Sequence, residues 1–157
     1  MKIKLVLLVT LVSVISISAQ ESIVKNVPFT NIGPTIMSGR IVDVDVNPDR
    51  STEFYAAYAS GGVFYTNNNG TTFTPITDNA ETSNIGDIAV DWKNGTIWVG
   101  TGESNSSRSS YAGIGILKTT DNGKSWTHVG LKNSQHIGRI IINKNNPDEV
   151  VIGAVGN

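Results

Sequence analysis

The side chains with chemistry to offer fall into two groups. The first is Arg40, Asp87 and Arg139, each following a glycine and preceding an isoleucine, in Gly39-Arg40-Ile41, Gly86-Asp87-Ile88 and Gly138-Arg139-Ile140. A planar guanidinium grips a carboxylate through two parallel N–H donors, so two arginines at matching positions are the raw material of a carboxylate clamp. Asp87 at the intervening position favours a different outcome, ion pairs between neighbouring structural segments. The second group is Glu103, Asn105, Arg108 and Tyr111, in or beside a serine-rich stretch from Ser104 to Gly113. Loops held by a rigid scaffold commonly carry binding, and this one offers an acid, an amide, a guanidinium and an aromatic ring. Glycoside hydrolysis needs two carboxylates flanking one bond. Glu103 is the best single acid, but it has no evident second, so no catalytic set is assigned. Arg40, Glu103, Asn105, Arg108, Tyr111 and Arg139 are therefore binding candidates.

Other patterns lead to plainer readings. Asp43-x-Asp45-x-Asn47 opens like a calcium loop, which needs glycine sixth and glutamate twelfth; here those positions hold Pro48 and Phe54. Neither Gly100-x-Gly102 nor Gly113-x-Gly115 completes a dinucleotide-binding fingerprint, and no helical pattern follows them. His128 and His136 lack a second metal ligand at useful spacing, and the chain has no cysteine. Neither a metal nor a cofactor is expected. Tyr58, Tyr65, Trp92 and Trp98 could stack on sugar rings, yet aromatics in strands read first as packing.

The 157 residues carry 12 Lys and Arg against 13 Asp and Glu. No basic run exists to neutralise phosphates, which argues against a nucleic-acid partner. Residues 1–19 have the form of an export signal: Lys2 and Lys4, an apolar run from Leu5 to Ile17, then the small residues Ser18 and Ala19 before Gln20. That run is shorter than the roughly 20 residues of a membrane span. The mature protein is expected to be secreted or displayed at the cell surface, without disulfides, a combination common among exported bacterial proteins.

The elements that must position these residues repeat along the chain. Segments opening at Gly39, Gly86 and Gly138 share a period of about 50 residues, built from short strands between turn signals, the signature of four-stranded propeller blades. Val42, Val44 and Val46 alternate with Asp43, Asp45 and Asn47, predicting an inner strand with one apolar face. Asn47-Pro48-Asp49, Asn94-Gly95 and Asn146-Pro147-Asp148 are the matching turns. Second strands are expected over 54–58 and 97–100, third strands over 62–66 and 115–119, and outermost strands over 72–76 and 125–129. Residues 20–37 read as a lead-in strand and 38–157 as about two and a half blades, an all-β fold. Two octamers are in register within the repeats, Thr66 to Phe73 and Thr119 to Trp126. In each, a hydroxyl (Thr66, Thr119), an Asn or Asp (Asn68, Asp121), a glycine (Gly70, Gly123) and an aromatic (Phe73, Trp126) stand at the positions a tight hairpin turn requires. The Asn or Asp accepts backbone N–H groups and the glycine takes positive φ.

These octamers resemble the Asp-box, or BNR, repeat of sialidase-like and sortilin-like β-propellers. More closely, the chain resembles large exported bacterial BNR-repeat glycosyl hydrolases and sortilin-domain proteins. The resemblance rests on Asn31-Ile32-Gly33-Pro34, Met37 to Asp43, Ala59 to Phe64, Trp98 to Asn105, the octamer at 119–126 and His136 to Ile140. It implies a structural role for the Asp-box residues, on the rim away from the central channel. It also implies an incomplete propeller, with further blades and domains beyond residue 157. Relatives in the xyloglucan-hydrolase group carry a catalytic Asp shortly before a Gly-Gly pair in the first blade; this chain has Ala59 there, before Gly61-Gly62. The leading expectation is a module that binds an extracellular polypeptide or glycan. The alternatives are the N-terminal part of a glycoside hydrolase whose acids lie largely beyond residue 157, and a scaffold joining further domains.

Overall fold

The computed structural model describes residues 39–105, 108 and 110–155. The export signal expected over 1–19 and the lead-in strand expected over 20–37 lie outside the described residues. Ten strands follow in chain order: β1 (Ile41–Val46), β2 (Phe54–Tyr58), β3 (Gly62–Thr66), β4 (Thr74–Pro75), β5 (Ile85–Asp91), β6 (Thr96–Thr101), β7 (Ile116–Thr119), β8 (Thr127–Gly130), β9 (Ile137–Ile142) and β10 (Val150–Ala154). They form antiparallel sheets in the orders β1-β2-β3-β4, β5-β6-β7-β8 and β10-β9. Among the described residues there is no helix, and therefore none long and apolar enough to cross a membrane. The first strands of successive sheets pack on one another, β1 against β5 and β5 against β9. Two four-stranded blades and a third hairpin, stacked face to face through their leading strands, make a propeller-type arrangement. The outermost strands are shorter than the sequence suggests, because much of each segment 72–76 and 125–129 is spent on turn geometry.

Two apolar seams hold the blades together. Tyr55, Ala57, Val63 and Ile76 of the first blade pack against Ile85, Ile88, Ile97, Val99 and Leu117 of the second. Ala89 and Ile116 of the second blade pack against Ile137 and Ile140, with Trp98, Ile142, Val150 and Ile152 around them. The second seam is tight enough that a Cβ on Gly100 would lie 2.4 Å from the Ile137 side chain, so glycine is required there by contact rather than by φ.

Strand β1 corrects the reading of its alternation. Asp43 and Asp45 pair with Ala57 and Tyr55 on the face turned to the second blade, whereas Val44 and Val46 are 43% and 44% exposed. The aspartates face inward because β5 is a leading edge strand whose N–H groups need acceptors. Asp43 Oδ2 accepts the Ile88 N–H at 3.4 Å, Asp45 Oδ2 accepts the Val90 N–H at 2.9 Å, and Asp45 Oδ1 accepts the Trp92 indole N–H at 2.7 Å. Across the next seam, Asp87 Oδ2 accepts the Ile140 N–H at 2.6 Å.

The repeat register also differs from the glycine alignment. Ile41, Ile85 and Ile137 are equivalent, each opening its strand opposite Tyr58, Thr101 and Ala154. The carbonyls of Arg40, Asn84 and His136 each accept an N–H from the residue just beyond the second strand, namely Ala59, Gly102 and Val155. Arg40 is therefore equivalent to Asn84 and His136, while Asp43, Asp87 and Arg139 share one position. Arg40 and Arg139 do not match. The turns shift likewise: Asn47 and Glu53 bracket the first hairpin as Asn143 and Glu149 bracket the last, each asparagine amide donating to the glutamate carboxylate. Asn47-Pro48-Asp49 thus corresponds to 143–145 rather than to 146–148.

Candidate functional site

Strand direction sorts the molecule into two ends. One end collects the starts of β1, β5 and β9, the β2–β3 and β6–β7 connections, and the links between blades; we call it the loop end. The other collects the β1–β2, β3–β4, β5–β6 and β7–β8 turns, the turn end.

The turn end is built from local hydrogen bonds. Thr119 Oγ1 donates to Asp121 Oδ1 at 2.7 Å and accepts the Gly123 N–H at 3.0 Å; Asp121 accepts the Ser125 N–H at 3.0 Å and the Ser125 hydroxyl at 2.6 Å. These bonds, that from Ser125 first, hold the Asp121 carboxyl down at about 2. The first octamer repeats the pattern with Thr66, Asn68, Gly70 and Thr72. Asn69 and Asn122 take φ 57°, and Gly70 and Gly123 φ 78° and 82°. The aromatics differ. Trp126 packs on the seam between the first two blades, while Phe73 packs edge-on against Phe54, 6.1 Å between centroids, on the far face of the first blade. The second octamer also reaches across the seam, Asn122 Oδ1 accepting the Tyr55 hydroxyl at 2.8 Å.

At the loop end, three of the six binding candidates meet. Arg40, just before β1, donates both Nε and Nη2 to the two oxygens of Glu103, just after β6, with Nε to Oε1 at 2.6 Å. Arg40 is 44% exposed and Glu103 is 3% exposed. The bond to Glu103 raises the Arg40 pKa above its ordinary value, and the two-point pairing of guanidinium and carboxylate makes a charge-compensated floor. The Glu103 N–H donates to the Tyr111 carbonyl at 3.1 Å, and the Tyr111 side chain is 47% exposed. Asn105 and Arg108 lie exposed further out in the same loop; Ser106, Ser107 and Ser109 fall outside the described residues. The loop's return arm is pinned from both sides. Asn84 Nδ2 donates to the Ala112 carbonyl at 3.0 Å, the Gly113 N–H to the Gln135 carbonyl at 2.7 Å, and the Ile114 N–H to Thr101 Oγ1 at 2.6 Å.

Arg139 is elsewhere, 3.6 Å from Asp87 Oδ1. The two arginines thus serve different carboxylates of the second blade and build no common clamp. The inter-blade ion pairing expected for Arg139 and Asp87 is present, but the partner of Arg40 is Glu103. The aromatics considered for stacking are packing residues. Tyr58 meets Phe64 edge-on, Tyr65 and Trp92 flank Tyr55 at 4.9 and 5.2 Å, and Trp98 sits in the second seam with Lys118 Nζ 4.6 Å from its ring centre. The ring of His128 contacts the Ile114 carbonyl. Among the described residues no three His, Cys, Asp or Glu side chains gather as a metal site would require.

Sequence reading missed Asn84 and Gln135, which pin the loop, and Glu53, which receives the Tyr65 hydroxyl, Asn47 and Arg50 together. The Tyr65 bond, chiefly, holds the Glu53 carboxyl below its ordinary value. The recurrence of Asn and Glu six apart in both hairpins was the available signal for Glu53; no pattern announces Asn84 or Gln135.

No family model and no curated protein matches the chain. Among solved structures it is similar to the GH74 enzyme of Niastella koreensis, a β-propeller glycoside hydrolase, with 21% identity and a TM-score of 0.51 over 66% of this chain. The match covers 16% of the length of that enzyme. At this identity the likeness is one of fold, and it agrees with the blade architecture.

Proposed function

We propose that this chain supplies blades of an exported Asp-box β-propeller that binds an extended glycan at its loop end. The observation that carries the reading is the assembly of Arg40, Glu103 and Tyr111 from two blades, a fixed polar floor beside an exposed ring on a pinned loop. Few, well-placed polar groups next to an aromatic surface are the ordinary makings of a small-molecule or sugar subsite. The Asp-box assignment is supported by the two octamers, whose bonds and φ angles coincide position by position. Continuation of the ring is supported by the face of β9 and β10 turned away from the second blade, where Ile141 and Val151 are 55% and 70% exposed. Export rests on the form of residues 1–19.

Glycoside hydrolysis is the second reading, favoured by the GH74 likeness of fold. In this chain Glu103 spends both carboxylate oxygens on Arg40, and Ala59, buried, stands where the resemblance places a catalytic aspartate. A hydrolase would draw its acids from further blades.

Affinity electrophoresis of the native chain through gels holding single soluble polysaccharides tests the proposal, with reducing-sugar release measured on the same polymers. Retardation by at least one polymer, lost in Tyr111→Ala and without sugar release, is the expected result. Sugar release would move the chain to the hydrolase reading. No retardation by any polymer, with binding to an extracellular polypeptide or to nothing, would overturn the proposal in favour of a peptide-binding module or a scaffold.

A further inference from the structure

Among the described residues, three that are not glycine take a left-handed backbone: Asn69 and Asn122 at φ 57°, and Leu131 at φ 55°. The two asparagines sit in the octamers of the turn end, where a short polar side chain suits that conformation. Leu131 stands at the loop end, directly after β8, and opens a tight turn in which the Ser134 N–H donates to its carbonyl at 2.8 Å. A bulky apolar side chain disfavours this backbone, and burial does not compensate. Leu131 is 48% exposed and belongs to neither apolar seam. A strained residue that adds little to the core points to a role outside the fold.

Its position supplies that role. In the second blade β7 lies between β6 and β8. Neighbouring strands are about 4.8 Å apart, so Glu103, just beyond β6, and Leu131, just beyond β8, are separated by on the order of 10 Å. The return arm of the 102–115 loop bridges that gap. The Gly115 carbonyl accepts the Thr101 N–H at 2.9 Å, and a Cβ on Gly115 would lie 2.4 Å from the Leu131 carbonyl oxygen. Tyr111, with its exposed ring, stands at the other end of the same arm. The loop end of the second blade thus runs from the Arg40–Glu103 pair, past Tyr111, to Leu131 at the outermost strand. That span suits a stretch of polymer rather than a single sugar.

We propose that Leu131 is a second apolar contact of the glycan site, packing on the C–H face of a ring farther along the polymer than the one on Tyr111. The inference rests on the glycan-binding reading above and gives that site a direction, outward across the second blade. Few polar groups set among apolar surface are what such a site requires; Arg40 and Glu103 supply the first, Tyr111 and Leu131 the second.

The test joins urea unfolding to affinity electrophoresis for Leu131→Asn and Leu131→Met, both uncharged changes that leave mobility in a plain gel unaltered. Asparagine suits the left-handed backbone, so Leu131→Asn should raise the folding equilibrium constant about fivefold. Its dissociation constant for a retarding polysaccharide should rise about fivefold, the loss expected when a half-exposed leucine is no longer there to be covered. Leu131→Met keeps an adaptable apolar side chain and should bind as the native chain does. Tighter folding with weaker binding is a pairing that a packing residue does not produce. If Leu131→Asn loses stability and binding together, Leu131 is a packing residue and the proposal falls. It falls as well if Leu131→Asn is retarded like the native chain while Tyr111→Ala is not, a result that leaves the glycan reading standing. No retardation of the native chain by any polymer would overturn both.

Discussion

The two ends of the blades solve the same problem, closing strands into hairpins, by opposite means. At the turn end, closure is short and self-contained. Thr119, Asp121 and Ser125 satisfy one another and the backbone within seven residues, as Thr66, Asn68 and Thr72 do in the first blade. At the loop end, the β2–β3 connection is three residues long, but the equivalent β6–β7 connection swells to 102–115. That loop is held by long-range bonds from Arg40, Asn84 and Gln135. A turn that meets its own hydrogen-bond needs has nothing to offer a ligand. A loop held from outside can vary its sequence and keep its position, which is where recognition is found on rigid scaffolds.

Substitutions at the two ends should therefore fail differently. The largest loss of stability is expected at the turn end, from Gly123→Ala. Its φ of 82° disfavours any side chain, and the new Cβ would lie 2.0 Å from the Ile76 carbonyl oxygen of the first blade. Backbone strain and overpacking together predict a loss of about 4 kcal/mol by urea unfolding. Gly95→Ala, at φ 70° with open space around it, should cost only about 1 kcal/mol; equal losses would show that contact across the seam is unimportant.

Asp45→Ala probes the seam between the ends. It orphans the Val90 N–H and the Trp92 indole N–H, and a loss of about 3 kcal/mol is expected. Asp45→Asn, which keeps one acceptor oxygen, should lose less. A near-neutral Asp45→Ala would mean that water replaces the carboxylate and that the inward aspartates do not hold the blades.

Asp121 gives the turn end a pH signature. Its carboxyl is held from 3.8 down to about 2 by Ser125 and Thr119, so its contribution is complete above pH 4 and is lost as pH falls through 2. Acid unfolding of Asp121→Asn should show a shallower slope between pH 4 and 2 than the native chain; an unchanged slope would remove the carboxylate from the turn's energetics. The smallest effect on stability belongs to the loop end. Tyr111→Ala should change unfolding by less than about 0.5 kcal/mol while abolishing glycan retardation. A large stability loss there would make Tyr111 a packing residue and take the ring out of the proposed subsite.

The same contrast explains what could be read from the sequence. The turn end was legible because its chemistry is local: hydroxyl, acid or amide, glycine and aromatic stand within eight residues. Strand positions followed as directly, β2 and β3 residue for residue. The seams were not legible. Alternation of valine with aspartate ordinarily marks an apolar core face and a solvated one, yet Asp43 and Asp45 point into the seam because β5 presents N–H groups that valine cannot satisfy. Aligning the repeats on glycines put Gly39 where Val42 belongs, since Gly39 serves a left-handed backbone at φ 92° and Gly86 a close contact with Ile137 and Gly102. Arg40 and Glu103 were singled out separately, and no spacing rule could join residues 63 apart.

Hydrogen exchange of the native chain, with and without a polysaccharide that retards it, tests the central claim most directly. The account predicts added protection at 103–105 and 110–114 and at the backbone around Arg40, with the octamers at 66–73 and 119–126 unchanged. Protection confined to the octamers, or none at the loop end under saturating polysaccharide, would contradict it.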